Sequence, residues 1–296
     1  MYPSAFEYSA PHSVDEALGL LGRLGQDGRV LAGGQSLIPM MKLRLASPEH
    51  LVDINGLSEL GYIREVNGHV AIGALARHAE VAASDLVARS NHTMASAAKW
   101  IADPLVRNRG TLAGSVAHCD PEGDWNSVLL AVGATVVARS AAGGERLIQH
   151  ADFVVDFFTN SLQPGEMVTE IRVPKYTGPA GGSYLKLERK IGDYATVGVA
   201  IHLALDGAGR ISEAGIGLTA VSGHNLKAVD AERVLIGQQP GAALFAEAAD
   251  VAARSCEPDG DVRGPADYKR AVVAEYTRRG LASALQQVTS QTIQQN

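Results

Sequence analysis

Two short turns built almost wholly from small residues place the tightest limits on this chain. The first is Ala32-Gly33-Gly34-Gln35-Ser36, inside LAGGQSLIPMMKLRLA at 31–46. An apolar run ends there, two glycines follow, and an apolar segment carrying Lys42 and Arg44 continues. The second is Thr111-Leu112-Ala113-Gly114-Ser115, inside IADPLVRNRGTLAGSVAHCDPEGDWNS at 101–127. That is a long loop-like stretch for a compact domain, and such loops are often functional. Successive backbone N–H groups in turns of this kind form a concave nest for phosphate oxygens. Glycine lets a ligand approach the main chain and tolerates positive φ. Ser36, Thr111 and Ser115 add hydroxyl donors, and a helix starting near Leu37 aims its positive end at the same anion. Two nests fit a pyrophosphate better than one. The residues alone leave a second reading open, in which both are hairpin or junction turns. GGQSLIP is not G-x-G-x-x-G, and no Gly-Lys-Ser/Thr follows it, so neither the dinucleotide Rossmann fingerprint nor a P-loop is present.

Periodicity organises the rest. SVDEALGLLGRL (13–24) predicts a helix, with Ser13 and Glu16 as a capping box and Val14, Ala17, Leu18, Leu21 and Leu24 at helical spacing. Strands are expected over 29–32 and 50–54, which makes a small α/β unit. After Asn55-Gly56 come a strand at 69–76, helices at 78–84 and 94–101, and DWNSVLLAVGA as a helix feeding the strand TVVARS. MVTEIRVP (167–174) alternates and stops at a proline. The stretch 175–182 is rich in Pro and Gly, so a boundary is placed there. Three strands follow, SYLKLER, ATVGVAIHLAL and ISEAGIGLTAV, then helices at 228–236, 242–255 and 266–285. The polar last ten residues are expected to fray.

Composition narrows the function. A formal net charge of -6 argues against a nucleic-acid binder, which usually presents a basic face. The most apolar stretch, 128–138, is too short to span a bilayer. No basic segment leads into an apolar one at the N-terminus, so the expected location is the cytoplasm. The 2 cysteines, Cys119 and Cys256, are too few for the four thiolates of an iron–sulfur cluster.

The two turns, together with LVDING, IGALARHAEV, RNRGTLAGSVAHCDPEGDW and YLKLERKIGDYATVGVA, resemble the FAD-binding medium subunits of molybdenum hydroxylases. The carbon monoxide dehydrogenase branch is the nearest likeness, and it spans about 1–287. The resemblance implies an α+β fold with an α/β N-terminal part. A two-part FAD-binding module of the PCMH/molybdopterin dehydrogenase type would occupy 1–57 and 58–177. A domain like the carbon monoxide dehydrogenase flavoprotein C-terminal domain, a three-stranded antiparallel sheet with a helical bundle, would occupy 178–287. A polar tail, 288–296, would close the chain.

The resemblance also implies roles. Ala32, Gly33, Gly34, Gln35 and Ser36 match the first pyrophosphate loop, and Thr111, Leu112, Ala113, Gly114 and Ser115 the second. Asp124 matches an acidic residue near the FAD ribose and Val168 an apolar residue close to the cofactor. Lys186 matches a basic residue near the flavin ring, and Tyr194 an aromatic over one flavin face. Cys119 and Asn126 depart from the family pattern, which expects alanine and often proline there. The implied partners are a large molybdopterin subunit and a small iron–sulfur subunit, arranged as a dimer of heterotrimers. Electrons would leave for quinone or another acceptor, and the assembly could sit at the inner face of a membrane through its partners. The same subunit on a purine, nicotinate or aromatic hydroxylase, or a non-catalytic nucleotide-binding scaffold, are the competing readings.

Other tempting groups carry less. His118, Cys119 and Asp120 suggest a metal or a nucleophile, but adjacent residues rarely all face one ion, and no second ligand cluster is visible. Lys42 and Arg44 read best as solvated charge. Apart from the resemblance, Lys186 is a snorkelling strand lysine and Tyr194 a half-buried aromatic.

Overall fold

A computed structural model describes residues 2–176 and 178–295, with side chains through Gln291. Met1, Thr177 and Asn296, which bound the expected regions, lie outside the described residues.

The N-terminal part holds β1 (Glu7–Ser9), α1 (Val14–Leu24), β2 (Gly28–Leu31), α2 (Leu37–Leu43) and β3 (His50–Asp53). Its strands form a parallel sheet in the order β1-β3-β2. The α1 helix buries Val14, Ala17, Leu18 and Leu21, as its spacing requires. Its cap differs from the expected box. Ser13 Oγ accepts from Glu16 N at 3.1 Å, but Glu16 Oε2 reaches one residue further back, to His12 N at 2.8 Å.

The middle part runs through β4 (Ile63–Val66), β5 (His69–Gly73), α3 (His78–Ala83), α4 (Asp85–Ser90), α5 (His92–Ala98), α6 (Pro104–Arg107), α7 (Leu112–His118) and α8 (Asp124–Val132). It continues with β6 (Thr135–Ser140), β7 (Gly144–Gln149), α9 (His150–Phe153), β8 (Val154–Asp156), β9 (Thr159–Asn160) and β10 (Met167–Pro174). Five of these strands make an antiparallel sheet ordered β4-β5-β10-β6-β7.

The last part contains β11 (Ala180–Leu187), β12 (Val197–Leu205), β13 (Ile211–Thr219), β14 (Leu226–Lys227), α10 (Val229–Leu235), α11 (Ala242–Arg254) and α12 (Ala266–Gln295). The three long strands expected from sequence pair antiparallel, and the two-residue β14 adds a fourth at the edge. The α12 helix does not stop at 285. It continues to Gln295, and its Gln287 and Gln291 side chains bond Gly182 N and Ala180 O of β11 at 3.1 and 3.0 Å. Polar residues there serve the sheet edge, which composition alone does not reveal.

The β12 residues from Val197 to Leu203 are all buried, because helices cover both faces of this sheet. The α12 helix lies on one face, while α5 and α8 of the middle part lie on the other. Every residue of α8 is buried, including the polar Asp124, Asn126 and Ser127 of its first turn. Glycines make the close approach possible. A Cβ on Gly217 would fall on the carbonyl of Ser127, and one on Gly215 on that of Ala131, two groups of α8 one turn apart. On β11, Gly181 faces Ala284 of α12 and Gly182 faces Thr93 of α5, so neighbouring glycines admit a helix to each face. Overpacking such a contact costs about 1–3 kcal/mol. We therefore expect Gly217→Ala to lose about 1–3 kcal/mol in urea unfolding. Unchanged stability would contradict main-chain contact between α8 and β13.

Candidate functional site

The first glycine turn leaves β2 and enters α2. Gly34 sits at φ 71°, a left-handed conformation that side chains resist. Gln35 Nε2 donates to Gly33 O at 3.2 Å, and Ile38 N to Gly34 O at 3.1 Å. The main-chain N–H groups of Gly33, Gly34, Gln35 and Ser36 donate to no group among the described residues. The Ser36 hydroxyl makes no cap bond to α2.

The second turn enters α7. Thr111 Oγ1 caps that helix, accepting from Gly114 N at 3.0 Å, and Ser115 N donates to Thr111 O at 3.1 Å. Thr111, Leu112 and Ala113 are buried, Gly114 is exposed and Ser115 half-buried. A Cβ on Gly114 would stand 2.7 Å from Thr111 Oγ1, so that glycine protects its own cap.

The two turns touch. A Cβ on Gly33 would meet the Arg109 carbonyl and lie 2.6 Å from Gly110 Cα. The contact joins the end of a parallel strand to a loop of the five-stranded part. Gly110 is held in turn by His78, whose N donates to Gly110 O at 3.0 Å and whose ring a Gly110 Cβ would strike at 2.8 Å. Trp125 Nε1 donates to His78 Nδ1 at 3.0 Å. The second turn is thereby tied to the start of α8.

Asp124 is the first residue of α8, and it is buried. Its Oδ2 accepts from Lys186 Nζ at 2.9 Å and its Oδ1 from Tyr184 Oη at 2.5 Å. Lys186 Nζ also donates to Trp100 O at 3.2 Å and stands 3.5 Å from Glu188 Oε2. The Lys186 side chain is 1% exposed. Sequence reading gave Asp124 and Lys186 separate duties, and the structure pairs them directly. Burial pushes the Asp124 carboxyl up from its usual value, opposed by Lys186 and the Tyr184 hydrogen bond. Burial and the adjacent Asp124 hold the Tyr184 phenol well above its ordinary range.

Val168 is buried on β10, which α7 packs against, and lies at an irregularity between Val168 and Glu170. Tyr194 lies in the loop between β11 and β12 and is 46% exposed. Partial burial and the nearby Asp120 push its phenol up to about 12. Neither residue makes a hydrogen bond to either turn among the described residues. The three residues that suggested a metal diverge. The His118 ring packs on Phe158, Cys119 Sγ bonds Val116 O at 3.3 Å, and Asp120 Oδ1 accepts from Glu122 N at 2.9 Å. Cys119 is buried at φ 51°, its thiol pushed up to about 12 by burial. Sequence reasoning missed Asn55, Arg77, Tyr184 and Glu188. All four stand inside the quoted stretches LVDING, IGALARHAEV and YLKLERKIGDYATVGVA, which was the available signal.

The donor set suits a diphosphate. The first turn offers unused N–H groups, and a Cβ would fill the space where Gly33 meets the second loop. Arg77 and Arg109 add positive charge at the junction. The residues therefore fit the cofactor implied by the motifs.

Comparison with known proteins gives the same class. Residues 4–176 match the family model described as the FAD binding domain in molybdopterin dehydrogenase. Residues 182–284 match the CO dehydrogenase flavoprotein C-terminal domain. The chain is 42% identical over 284 residues to the carbon monoxide dehydrogenase medium chain of Hydrogenophaga pseudoflava, covering 96% of this chain and 98% of that one. It is 38% identical over 285 residues to the 6-hydroxypseudooxynicotine dehydrogenase complex subunit alpha of Paenarthrobacter nicotinovorans, covering 96% of each. A solved carbon monoxide dehydrogenase from Hydrogenophaga pseudoflava, lacking the Mo-pyranopterin moiety of its cofactor, contains a chain that superposes with a TM-score of 0.93 at 44% identity, over 97% of this chain and 99% of that one. This chain belongs to the FAD-binding medium subunits of molybdenum hydroxylases, and FAD is its cofactor. Within that class its likeness is to the flavoprotein subunit of the carbon monoxide dehydrogenase type.

Two outcomes follow from this geometry. Gly33→Ala pushes the turns apart, and FAD should bind at least about tenfold more weakly, a loss of about 1.4 kcal/mol. Flavin titration checks this, and an unchanged affinity would separate the contact from the cofactor. The second concerns acid. Burial lowers His78 to about 4, helped by Arg107 and Arg77, and lowers His150 to about 3. Both are neutral when folded but bind protons when unfolded, below the ordinary value of 6.5. The unfolded state then holds more protons, so stability rises with pH across that window and is lost as pH falls through it. Unfolding free energy should climb from about pH 4 to about pH 6.5, less steeply in His150→Leu. An identical slope in that variant would remove His150 from the account.

Proposed function

We propose that the FAD pyrophosphate lies across residues 32–36 and 111–115, and that Asp124, Val168, Lys186 and Tyr194 surround the rest of the cofactor. The observation that carries this is the contact of Gly33 with Arg109 and Gly110, beside a run of unused N–H donors. In this reading 1–57, 58–177 and 178–287 are the working regions of the chain, with 288–296 as its tail.

We further propose that the protein is the electron-transfer subunit of a molybdenum hydroxylase of the carbon monoxide dehydrogenase type. When bound, FAD supplies an acceptor for electrons that arrive singly and leave in pairs. The chain's own residues hold it. Main-chain N–H groups of the first turn neutralise phosphate charge without side-chain reorganisation. Asp124 is kept in place by Lys186 and Tyr184 and offers a carboxylate to hydroxyl donors. Tyr194 offers a half-exposed ring for stacking.

Electrons must be delivered from elsewhere. Cys119 and Cys256 are both buried, and two thiolates cannot hold a cluster. A small iron–sulfur subunit therefore docks within tunnelling reach, and a large molybdopterin subunit carries the substrate chemistry, in a dimer of heterotrimers. Quinone or another acceptor takes the electrons. No helix among the described residues is long and apolar enough to cross a membrane, so any place at the inner face of the membrane comes through partners. Carbon monoxide is the first substrate to test. A second reading has independent support, because the dehydrogenase subunit from Paenarthrobacter nicotinovorans matches over the same length at 38% identity. On that reading the partner oxidises an aromatic or heterocyclic compound and this chain is unchanged.

The test is anaerobic spectroscopy of the flavin. In the complex as purified, the substrate of the large subunit should bleach it. In this chain freed of its partners and reloaded with FAD, dithionite should bleach it and carbon monoxide should not. Bleaching of the lone subunit by carbon monoxide or by a purine would remove the relay assignment.

A further inference from the structure

The two glycine turns come from different sheets, yet a short chain of polar groups joins them. Asn55 Nδ2 donates to Ala32 O in the first turn at 2.7 Å, and to Asp53 Oδ1 at 2.7 Å. Asn55 Oδ1 accepts from Arg77 Nη2 at 2.7 Å. Arg77 Nη1 donates to Arg109 O, just before the second turn, at 2.6 Å. The carboxamide orientation is determined by its neighbours. Its nitrogen faces a carbonyl and a carboxylate, and its oxygen faces a guanidinium, so the flipped form would set acceptor against acceptor.

Arg77 is itself fixed from both sides. Its N donates to Glu80 Oε2 at 2.7 Å, and Arg77 pairs with Thr111 in an isolated antiparallel bridge. The same Arg109 carbonyl that receives Arg77 is the atom a Gly33 Cβ would meet. One side-chain link and one main-chain contact thus fix the same separation.

We infer that Asn55 and Arg77 are positioning residues, a clamp that sets the distance between the two half-sites for a ligand reaching both, the diphosphate of a dinucleotide. This rests on the reading that both turns hold one pyrophosphate. The fork of arginine is required, because two nitrogens serve acceptors on two different loops at once. A lysine offers one nitrogen for both. An aspartate at 55 keeps an acceptor for Arg77 but has no proton for Ala32 O.

The experiment is a double-mutant cycle on FAD affinity and release, using the full chain with any chains that co-purify. The variants are Asn55→Ala, Arg77→Lys and the pair, with melting temperatures of the flavin-free proteins alongside. Each single variant should weaken FAD about tenfold, mainly through faster release, and the pair should be little worse than either alone, since groups in one network are not additive. Asn55→Asp should behave like Asn55→Ala. Flavin-free melting should stay close to wild type. Independent effects that add in the pair would overturn the clamp as a unit. So would full FAD affinity in the variants, or a fall in melting temperature with affinity intact. Wild-type protein that takes up no FAD would overturn the reading of the turns, and the clamp with it.

Discussion

The structure is organised around a helix with no solvent face. All of α8 is buried, and it reaches β13 only because Gly215 and Gly217 bring main chain against main chain. That contact decides more than packing. It fixes where Asp124 and Trp125 begin, since both lie in the first turn of α8. Asp124 then meets Tyr184 and Lys186 from β11, and Trp125 meets His78, which holds Gly110. Two neighbouring side chains on one buried helix connect the last sheet to the second glycine turn. A core helix that cannot slide is a suitable mount for a site made of loops, because packed interiors transmit displacement instead of absorbing it.

A loop site also needs its loops aligned with each other. The first turn belongs to a parallel three-stranded sheet and the second to the middle part with its antiparallel sheet. Relative motion of the two would change their separation before it changed either turn. Gly33 answers by direct contact, and the Asn55–Arg77 link by hydrogen bonds. Each acts near the same atom, the Arg109 carbonyl. The pairing explains why a lone glycine turn on this chain is a weak signal and two are informative. A single turn can face any small anion, while on the proposed reading two turns at a held distance would select for a ligand of matching span.

Much of this was legible in the sequence, for identifiable reasons. The α1 helix follows from helical spacing, and the β10, β12 and β13 strands from short runs rich in apolar and β-branched residues, which need no knowledge of partners. Both glycine turns were visible because small residues cluster there without alternation. The Asn55–Arg77 link was not visible. Its two residues are 22 positions apart and its far end 32, and single polar residues carry no periodic signal. The tail was misjudged for a related reason. Gln287 and Gln291 look solvated by composition, but they satisfy main-chain groups at the edge of β11. Hydrogen bonds to backbone depend on where the backbone goes, so composition cannot anticipate them.

The charge on Lys186 shows the same limit where it bears on chemistry. In sequence it is a bare cation, and a bare cation near a flavin favours the reduced anion. In the structure it stands between two carboxylates, at 2.9 Å from Asp124 and 3.5 Å from Glu188. Two of its three ammonium protons go to Asp124 and the Trp100 carbonyl, and Glu188 stands at ion-pair distance without a hydrogen bond. Its charge is therefore partly balanced by the two carboxylates beside it. Removing the lysine alone would strand a buried carboxylate, at about 3–5 kcal/mol for a pair broken on one side. Lys186 is then first a partner of Asp124. Any effect on the potential of a neighbouring flavin is the effect of the whole group, with Glu188, whose Oε2 makes no hydrogen bond, contributing the opposite sign.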